Sequence, residues 1–370
     1  MLWGITPAYA LNKDDISAEC ACVIEAKTGK VLFEKNKNKQ HAMASTTKIM
    51  TGIIALEETN PDDIITMTIT ASKTEGSSIY LEPGEKIYMR DLIFGLMLNS
   101  GNDAAVAIAE HISGTPAEFC KKMNEKAQEL CLLNTNFKNP NGLYEEGHFT
   151  TAHDLAKLTQ YAMKNKEFRE IVSTKEKKIT LVEPARELYF SNHNKLLWDY
   201  DGAIGVKTGY TTDTGRCLVS AAEKNGTTLY CVTLDAPGDW ADHTKILDYC
   251  FSKLESRVII EQGQVLKTVK IGEKLYDFIA NSDSLISYDK GTTAQTLVNL
   301  KLPKNISGPF AKGEKIGVAE VIFGGEVLDS VDIIASEDVP KDENTEYHPY
   351  KNQGFFRKLW ENILKFFLYA

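Results

Sequence analysis

The sequence predicts an α+β protein. A two-lobed domain spans residues 12–255, and a small all-β sandwich spans 256–336. A linker (337–353) and an amphipathic helix (354–370) complete the chain. Three observations carry this prediction. Strand patterning at both ends of the first 255 residues, closed by a helix, encloses a run of helical patterning. Beyond Glu255 only short β-type runs recur, punctuated by Gly and Asn. The last residues place their apolar side chains on one helical face.

Composition sets the outer bounds. At 370 residues and 43% hydrophobic, the chain is long enough for two domains and apolar enough to fill their cores, which excludes wholesale disorder. No stretch of about 18 apolar residues occurs, so no ordinary membrane-spanning helix is expected. Fifty-one acidic against 42 basic residues leave a net charge of −9, which argues against a nucleic-acid partner. The seven cysteines (20, 22, 120, 131, 217, 231 and 250) show no metal-type spacing and read as small buried hydrophobes. The histidines contain no H-E-x-x-H set, and neither a metal nor another cofactor is expected.

Each element follows from local pattern. Ile16 to Glu34 reads as a hairpin turning at Ala26-Lys-Thr-Gly29. Helical periodicity starts near Ser45 and stops before Asn60-Pro61, and Ile65 to Ser72 alternates like a strand. Helices are expected at Met89–Leu98 and Asp103–Ile112. Thr115-Pro-Ala-Glu118 opens another, running towards Leu133, as a capping box with Pro at the first helical position. Thr151–Met163 is helical again, after which the pattern changes to strands: Gly205–Tyr210, then a hairpin through Asn225-Gly226. Asp239–Leu254 closes the domain as an amphipathic helix. In the all-β part, strands are expected around Val258, Val265–Val269, Val298–Leu302, Val318–Ile322 and Val327–Ile334.

The two ends read differently. Ala8-Tyr9-Ala10 has the form of a signal-peptidase site behind a short apolar stretch. Residues 1–11 are therefore read as the remnant of an export signal, although the basic start is missing. On a helical wheel, Phe355, Phe356, Leu359, Trp360, Ile363, Leu364, Phe366 and Phe367 fill one half. Arg357, Lys358, Glu361, Asn362 and Lys365 lie opposite, joined by Leu368 and Tyr369. A basic polar face on such a helix is the pattern of a segment lying in a membrane interface, and the polar stretch Ser336–Asn352 before it is expected to be extended.

The chemistry concentrates in three motifs: Ser45-Thr46-Thr47-Lys48, Ser100-Gly101-Asn102 and Lys207-Thr208-Gly209. Single copies mean little, since Lys27-Thr-Gly29 and Ser287-Tyr-Asp-Lys290 repeat two of the patterns. The former reads as a hairpin turn and the latter as a polar turn of the β domain. Order and context make the set informative. Ser45 and Lys48, at i and i+3, share a helix face, so the amine reaches the hydroxyl, while the helix start favours a developing anion. A serine hydroxyl needs an adjacent base, and no motif supplies a histidine. A neutral Lys48, its pKa depressed by burial and by the cation Lys207, fits that role. Read alone, Ser45 is equally an N-cap, and Ser100 or Asn102 equally caps the following helix.

In this order the motifs resemble those of the serine penicillin-binding proteins and β-lactamases, and are most similar to the low-molecular-mass D-alanyl-D-alanine carboxypeptidases. Asn139-Pro-Asn-Gly-Leu143, His193-Asn-Lys-Leu-Leu-Trp198 and Lys207–Thr211 are also similar to that group, as are the β domain and the amphipathic tail. The resemblance implies a penicillin-binding/β-lactamase-like transpeptidase fold for the two lobes. It implies Ser45 as nucleophile, Lys48 as general base, Ser100 as proton relay and Asn102 as a contact to the substrate amide. Lys207 and Thr208 would bind the substrate's terminal carboxylate, with Gly209 letting the chain approach closely, and the backbone N–H groups of Ser45 and Tyr210 would form the oxyanion hole. Trp240 stands where some relatives have Arg. Lys195 and Arg216 are the nearby basic candidates for an extra carboxylate contact.

The expected reaction is removal of terminal D-alanine from peptidoglycan stem pentapeptides, with β-lactam antibiotics acylating the same serine as covalent inhibitors. The expected location is the extracytoplasmic face of the cytoplasmic membrane, held there through the C-terminal helix. Two alternatives are a β-lactamase, for which Glu145 and Glu146 lie in the right interval without the neighbouring E-x-x-x-N pattern, and a catalytically silent wall-binding protein.

Overall fold

The computed structural model describes residues 11–341. The readings made on residues 1–10, on most of the linker and on the amphipathic helix 354–370 therefore lie outside the described residues. The chain divides into two units at Glu255/Ser256.

In the first unit, β1 (Cys20–Glu25) and β2 (Val31–Lys35) form the expected hairpin. Its turn is fastened by the Glu25 carboxylate, which accepts the N–H and hydroxyl of Thr28 at 2.8 and 2.7 Å. That accounts for Lys27-Thr-Gly29 as turn chemistry. A 3₁₀ turn, Ala44–Thr47, leads into α1 (Lys48–Glu58). The strand expected over Ile65–Ser72 is shorter: β3 ends at Thr66 (Ile64–Thr66), because the Thr68 hydroxyl accepts the Ala71 N–H and starts α2 (Ile69–Ser72). After β4 (Lys86–Tyr88) come α3 (Met89–Leu98), α4 (Asn102–Ser113) and α5 (Pro116–Glu129), the last capped by Thr115. Cys131 lies past the end of α5 rather than within it. Thr151 caps α6 (Ala152–Ala162).

Beyond Met163 the structure departs from the expected strands. α7 (Lys166–Ser173) forms because the Asn165 side chain caps two backbone N–H groups while Phe168, Ile171 and Val172 share a buried face. The hairpin β5 (Glu176–Thr180) and β6 (Glu187–Ser191) follows, then the single-turn α8 (Leu196–Asp199). The unit closes with β7 (Ala203–Thr211), β8 (Gly215–Lys224), β9 (Thr227–Leu234) and α9 (Asp239–Lys253).

The main sheet runs β2-β1-β9-β8-β7, antiparallel throughout. Side-chain alternation along β1 divides the core in two. Cys22 and Ile24 face the helical lobe with α1, α3 and α6, whereas Ala21 and Val23 face α9 through Ile246, Leu247 and Cys250. Each fully buried Ile or Leu here stabilises the fold by roughly 1.5–3 kcal/mol. β7 is an edge strand of this sheet, and the Ala44–Thr47 turn packs directly against it at Gly209.

β10 (Leu254–Ile260) runs across the division, and the second unit continues with β11 (Val265–Ile271), β12 (Lys274–Ala280), β13 (Ser284–Asp289), β14 (Thr296–Lys301), β15 (Lys315–Phe323) and β16 (Glu326–Ala335). A five-stranded sheet β11-β12-β16-β15-β14 and the pair β10-β13 enclose Phe278, Ile286, Phe310 and Ile333. Two expectations are corrected. Ser287 stands within β13 rather than in a turn. The linker expected from 337 starts later, because Val339 is buried and pairs with Phe310 across an isolated bridge.

Candidate active site

Ser45 is half-exposed in the 3₁₀ turn, three residues before α1 begins, so the expected helix start becomes a tighter turn joined to the helix. In 3₁₀ geometry residues i and i+3 eclipse, which sets Lys48 directly over Ser45. The turn begins at Ala44 with φ +45°, a left-handed conformation that non-glycine residues rarely adopt.

Lys48 is 0% exposed, and its Nζ has three neighbours: the Asn102 Oδ1 at 2.6 Å, the Asn141 carbonyl at 2.6 Å and the Ser45 Oγ at 3.0 Å. The Asn102 amide is oriented by its other end, since Nδ2 donates to the Glu75 carbonyl at 2.6 Å. Burial lowers the Lys48 pKa well below that of an ordinary lysine, and the charge of Lys207 lowers it further. A neutral amine has two N–H donors and one lone pair. Asn102 Oδ1 and the Asn141 carbonyl can only accept, so they take the donors and leave the lone pair facing Ser45.

Ser100 precedes α4 with φ +61°, and its buried Oγ has no hydrogen-bond partner among the described residues. It lines an open cleft of about 280 Å³ together with Ser45, Thr208, Gly209 and Tyr210. Lys207 is 1% exposed, its pKa lowered to about 7 by burial, and it donates to the Thr208 carbonyl at 3.0 Å. Gly209 packs against the turn that carries Ser45. Of the eight residues singled out from sequence, Ser45, Ser100, Thr208, Gly209 and Tyr210 line the cleft, whereas Lys48, Asn102 and Lys207 are buried, Lys48 hydrogen-bonded to both Ser45 and Asn102. Of the two basic candidates, Arg216 lines this cleft beside Trp240 and stands 3.6 Å from Asp239, whereas Lys195 lines an adjoining hollow. Glu145 is exposed, its carboxylate accepting from the Asn139 side chain at 3.2 Å.

Sequence reasoning missed two contributors, Asp103 and His148, and gave His193 no role beyond its motif. Asp103, beside Asn102 and fully buried, accepts the Ser78 hydroxyl at 2.6 Å and the Ile79 N–H at 3.1 Å, tying down the loop that carries the cleft residue Ser77. His193 lines the cleft, its pKa lowered by burial and by Lys207. His148 Nε2 lies 2.8 Å from the Thr47 Oγ1, in the turn that carries Ser45. Nothing in sequence spacing marks Asp103 or His148, because each acts through a fold contact.

Residues 8–238 match the model of the family described as D-alanyl-D-alanine carboxypeptidase, and residues 254–341 match the penicillin-binding protein 5 C-terminal domain. The chain is 37% identical over 336 residues to the D-alanyl-D-alanine carboxypeptidase DacF of Bacillus subtilis, covering 88% of this chain and 86% of that one. It is 36% identical to the D-alanyl-D-alanine carboxypeptidase of Streptomyces sp. strain K15, covering 67% of this chain and 92% of the relative. Among solved structures, penicillin-binding protein 5 from Haemophilus influenzae matches with a TM-score of 0.65 at 27% identity, covering 90% of this chain and all of that one. The Streptomyces K15 DD-transpeptidase matches with a TM-score of 0.62 at 34% identity, covering 65% of this chain and 100% of that one.

Proposed function

The chain belongs to the D-alanyl-D-alanine carboxypeptidase family of serine peptidases, and from that premise we propose how its residues divide the work. Ser45 attacks the carbonyl of the penultimate D-alanine of a peptidoglycan stem peptide, and its proton passes to the Lys48 Nζ. The carbonyl oxygen becomes an oxyanion held by the backbone N–H groups of Ser45 and Tyr210. The C–N bond then breaks as the proton held on Lys48 passes through Ser100 to the leaving amine, and D-alanine departs with Lys48 neutral again. Water attacks the Ser45 ester, giving a proton to Lys48, which returns it to the Ser45 Oγ as the acyl bond breaks, and the free serine and amine are restored. Asn102 holds Lys48 and faces the substrate amide. Lys207 and Thr208 bind the terminal carboxylate, with Arg216 as the additional basic group in the same cleft.

The observation that carries this reading is the environment of Lys48. Two acceptor-only partners at 2.6 Å leave its lone pair towards a serine oxygen 3.0 Å away. The same serine would be acylated by β-lactams. The reading is tested by D-alanine release from diacetyl-Lys-D-Ala-D-Ala and by the mass of a penicillin adduct on the peptide containing Ser45. Release by the wild type and its loss in Ser45→Ala are expected. Absence of release by the wild type defeats the reading, and rapid multiple turnover of penicillin would replace it with a β-lactamase.

The enzyme would act outside the cytoplasm, since its substrate is wall peptide. We assign residues 354–370 to a helix lying on the outer face of the cytoplasmic membrane, supported by the opposed apolar and basic faces of that segment.

A further inference from the structure

Behind the nucleophile runs a chain of hydrogen bonds that the reaction scheme does not use. His148 is buried, with its ring edge-on to Phe137 at 6.0 Å between centroids. Its Nδ1 accepts the backbone N–H of Lys138 at 3.0 Å. An imidazole accepting at Nδ1 carries its proton on Nε2, and that N–H faces the Thr47 Oγ1 at 2.8 Å. The Thr47 hydroxyl spends its own proton on the Ala44 carbonyl, also at 2.8 Å. The direction of every bond is therefore fixed from one end, by a backbone N–H that can only donate.

The Ala44 carbonyl and the Ser45 N–H belong to one planar peptide unit and point in opposite directions. Fixing the carbonyl fixes the N–H. This peptide needs fixing, because Ala44 holds a left-handed φ of +45° that an alanine leaves readily. Gly142 supports the same carbonyl from another side. A Cβ there would lie 2.0 Å from the Ala44 oxygen, so the loop backbone is in direct contact with it.

We propose that His148, acting through Thr47, is a positioning residue that aims the Ser45 N–H into the oxyanion hole. This rests on the reading of Ser45 as nucleophile and of its N–H as an oxyanion donor. The arrangement serves a developing negative charge and not the bound ground state, so its loss should slow acylation and leave substrate affinity in place.

The test uses the full-length enzyme and three variants. His148→Leu cannot donate, Thr47→Val removes the hydroxyl at nearly constant shape, and His148→Gln offers both an acceptor and a donor. Acylation by a fluorescent penicillin, and kcat and KM for diacetyl-Lys-D-Ala-D-Ala, are measured beside Ser45→Ala. A 10- to 100-fold fall in acylation rate and kcat is expected for His148→Leu and Thr47→Val, with KM within threefold and His148→Gln recovering most of the rate. If His148→Leu fails to fold, Thr47→Val alone decides. Wild-type acylation rates in Thr47→Val, a loss confined to KM, or a His148→Gln no better than His148→Leu would overturn the proposal. A wild type that forms no adduct at Ser45 would instead defeat the underlying assignment of the nucleophile.

Discussion

Gly209 presses so closely on the turn carrying Ser45 that a Cβ added to it would lie 2.9 Å from the backbone nitrogen of Ser45. The strand and the turn meet backbone to backbone, which brings β7 within reach of a substrate bonded to Ser45. Gly209→Ala must push the two apart by several tenths of an ångström. Misplacement on that scale costs about 10- to 100-fold in rate when reacting groups lose alignment. Penicillin acylation of Gly209→Ala is expected to fall by that factor, while the melting temperature changes by only a few degrees. An unimpaired acylation rate would show that the contact does not control the site.

Much of this site was legible because its chemistry is local in sequence. Ser45 and Lys48 sit one helical turn apart, and Lys207 and Gly209 sit two apart on a strand, so residue type and spacing reveal the pairing. What escaped depends on contacts that spacing does not encode. His148 meets Thr47 across 101 residues, and Asp103 holds Ser78 across 25. The fold shows the same division. The long periodic helices were legible, but α7 was not, because eight residues opened by the Asn165 cap give too short a period. Val339 looked like linker because a lone apolar residue among charges carries no pattern, yet Phe310 draws it into the β domain.

Lys48 works as a base only when neutral, and arginine never is. Lys48→Arg retains a cation and donors for Asn102 and Asn141 but has no lone pair for Ser45. Loss of a general base costs about 10²- to 10⁴-fold. The variant should acylate at least a hundredfold more slowly than the wild type at pH 7, and raising the pH to 10 should not restore it. Recovery at high pH would mean that hydroxide or another group takes the proton.

Lys207 carries a pH dependence of the opposite kind. Burial brings its pKa to about 7, so in the free enzyme its positive charge fades as the pH rises through that value. A bound carboxylate favours the charged form and raises the pKa, so binding above neutrality takes up a proton. KM for the peptide should therefore rise above about pH 7, with a limiting slope of about tenfold per pH unit, while it stays flat below. The profile is measured between pH 6 and 9. A flat KM across that range would remove Lys207 from carboxylate recognition.

Two buried histidines should make the fold acid-sensitive. Burial lowers His148 to about 4 and His243 to about 3, the latter ring lying between the Ser220 Oγ at 2.6 Å and the Thr233 Oγ1 at 2.9 Å. The unfolded chain protonates near 6.5, ahead of the folded one, so stability is complete above that pH and falls as the pH drops towards 4. Each histidine accounts for on the order of 3 kcal/mol of loss by pH 4. Denaturant midpoints at pH 7, 5.5 and 4 should decline steeply in the wild type and less steeply in His148→Gln. Parallel declines would assign the acid sensitivity to other groups.

The C-terminal segment makes a separable prediction, because its chemistry is confined to its own residues. Between 351 and 370 the chain carries four basic residues against one acidic, although its net charge is −9. Basic residues opposite an apolar face favour an anionic lipid surface, each contributing about 1 kcal/mol at low ionic strength. In the proposed helix the aromatic and aliphatic face would add burial in the interface. Deleting residues 355–370 should shift the enzyme from membrane to soluble fractions and leave D-alanine release from a soluble peptide unchanged. High salt alone should release the intact protein only in part, because burial of the apolar face is not screened. A deleted form that still sediments with membranes would place the attachment elsewhere in the chain.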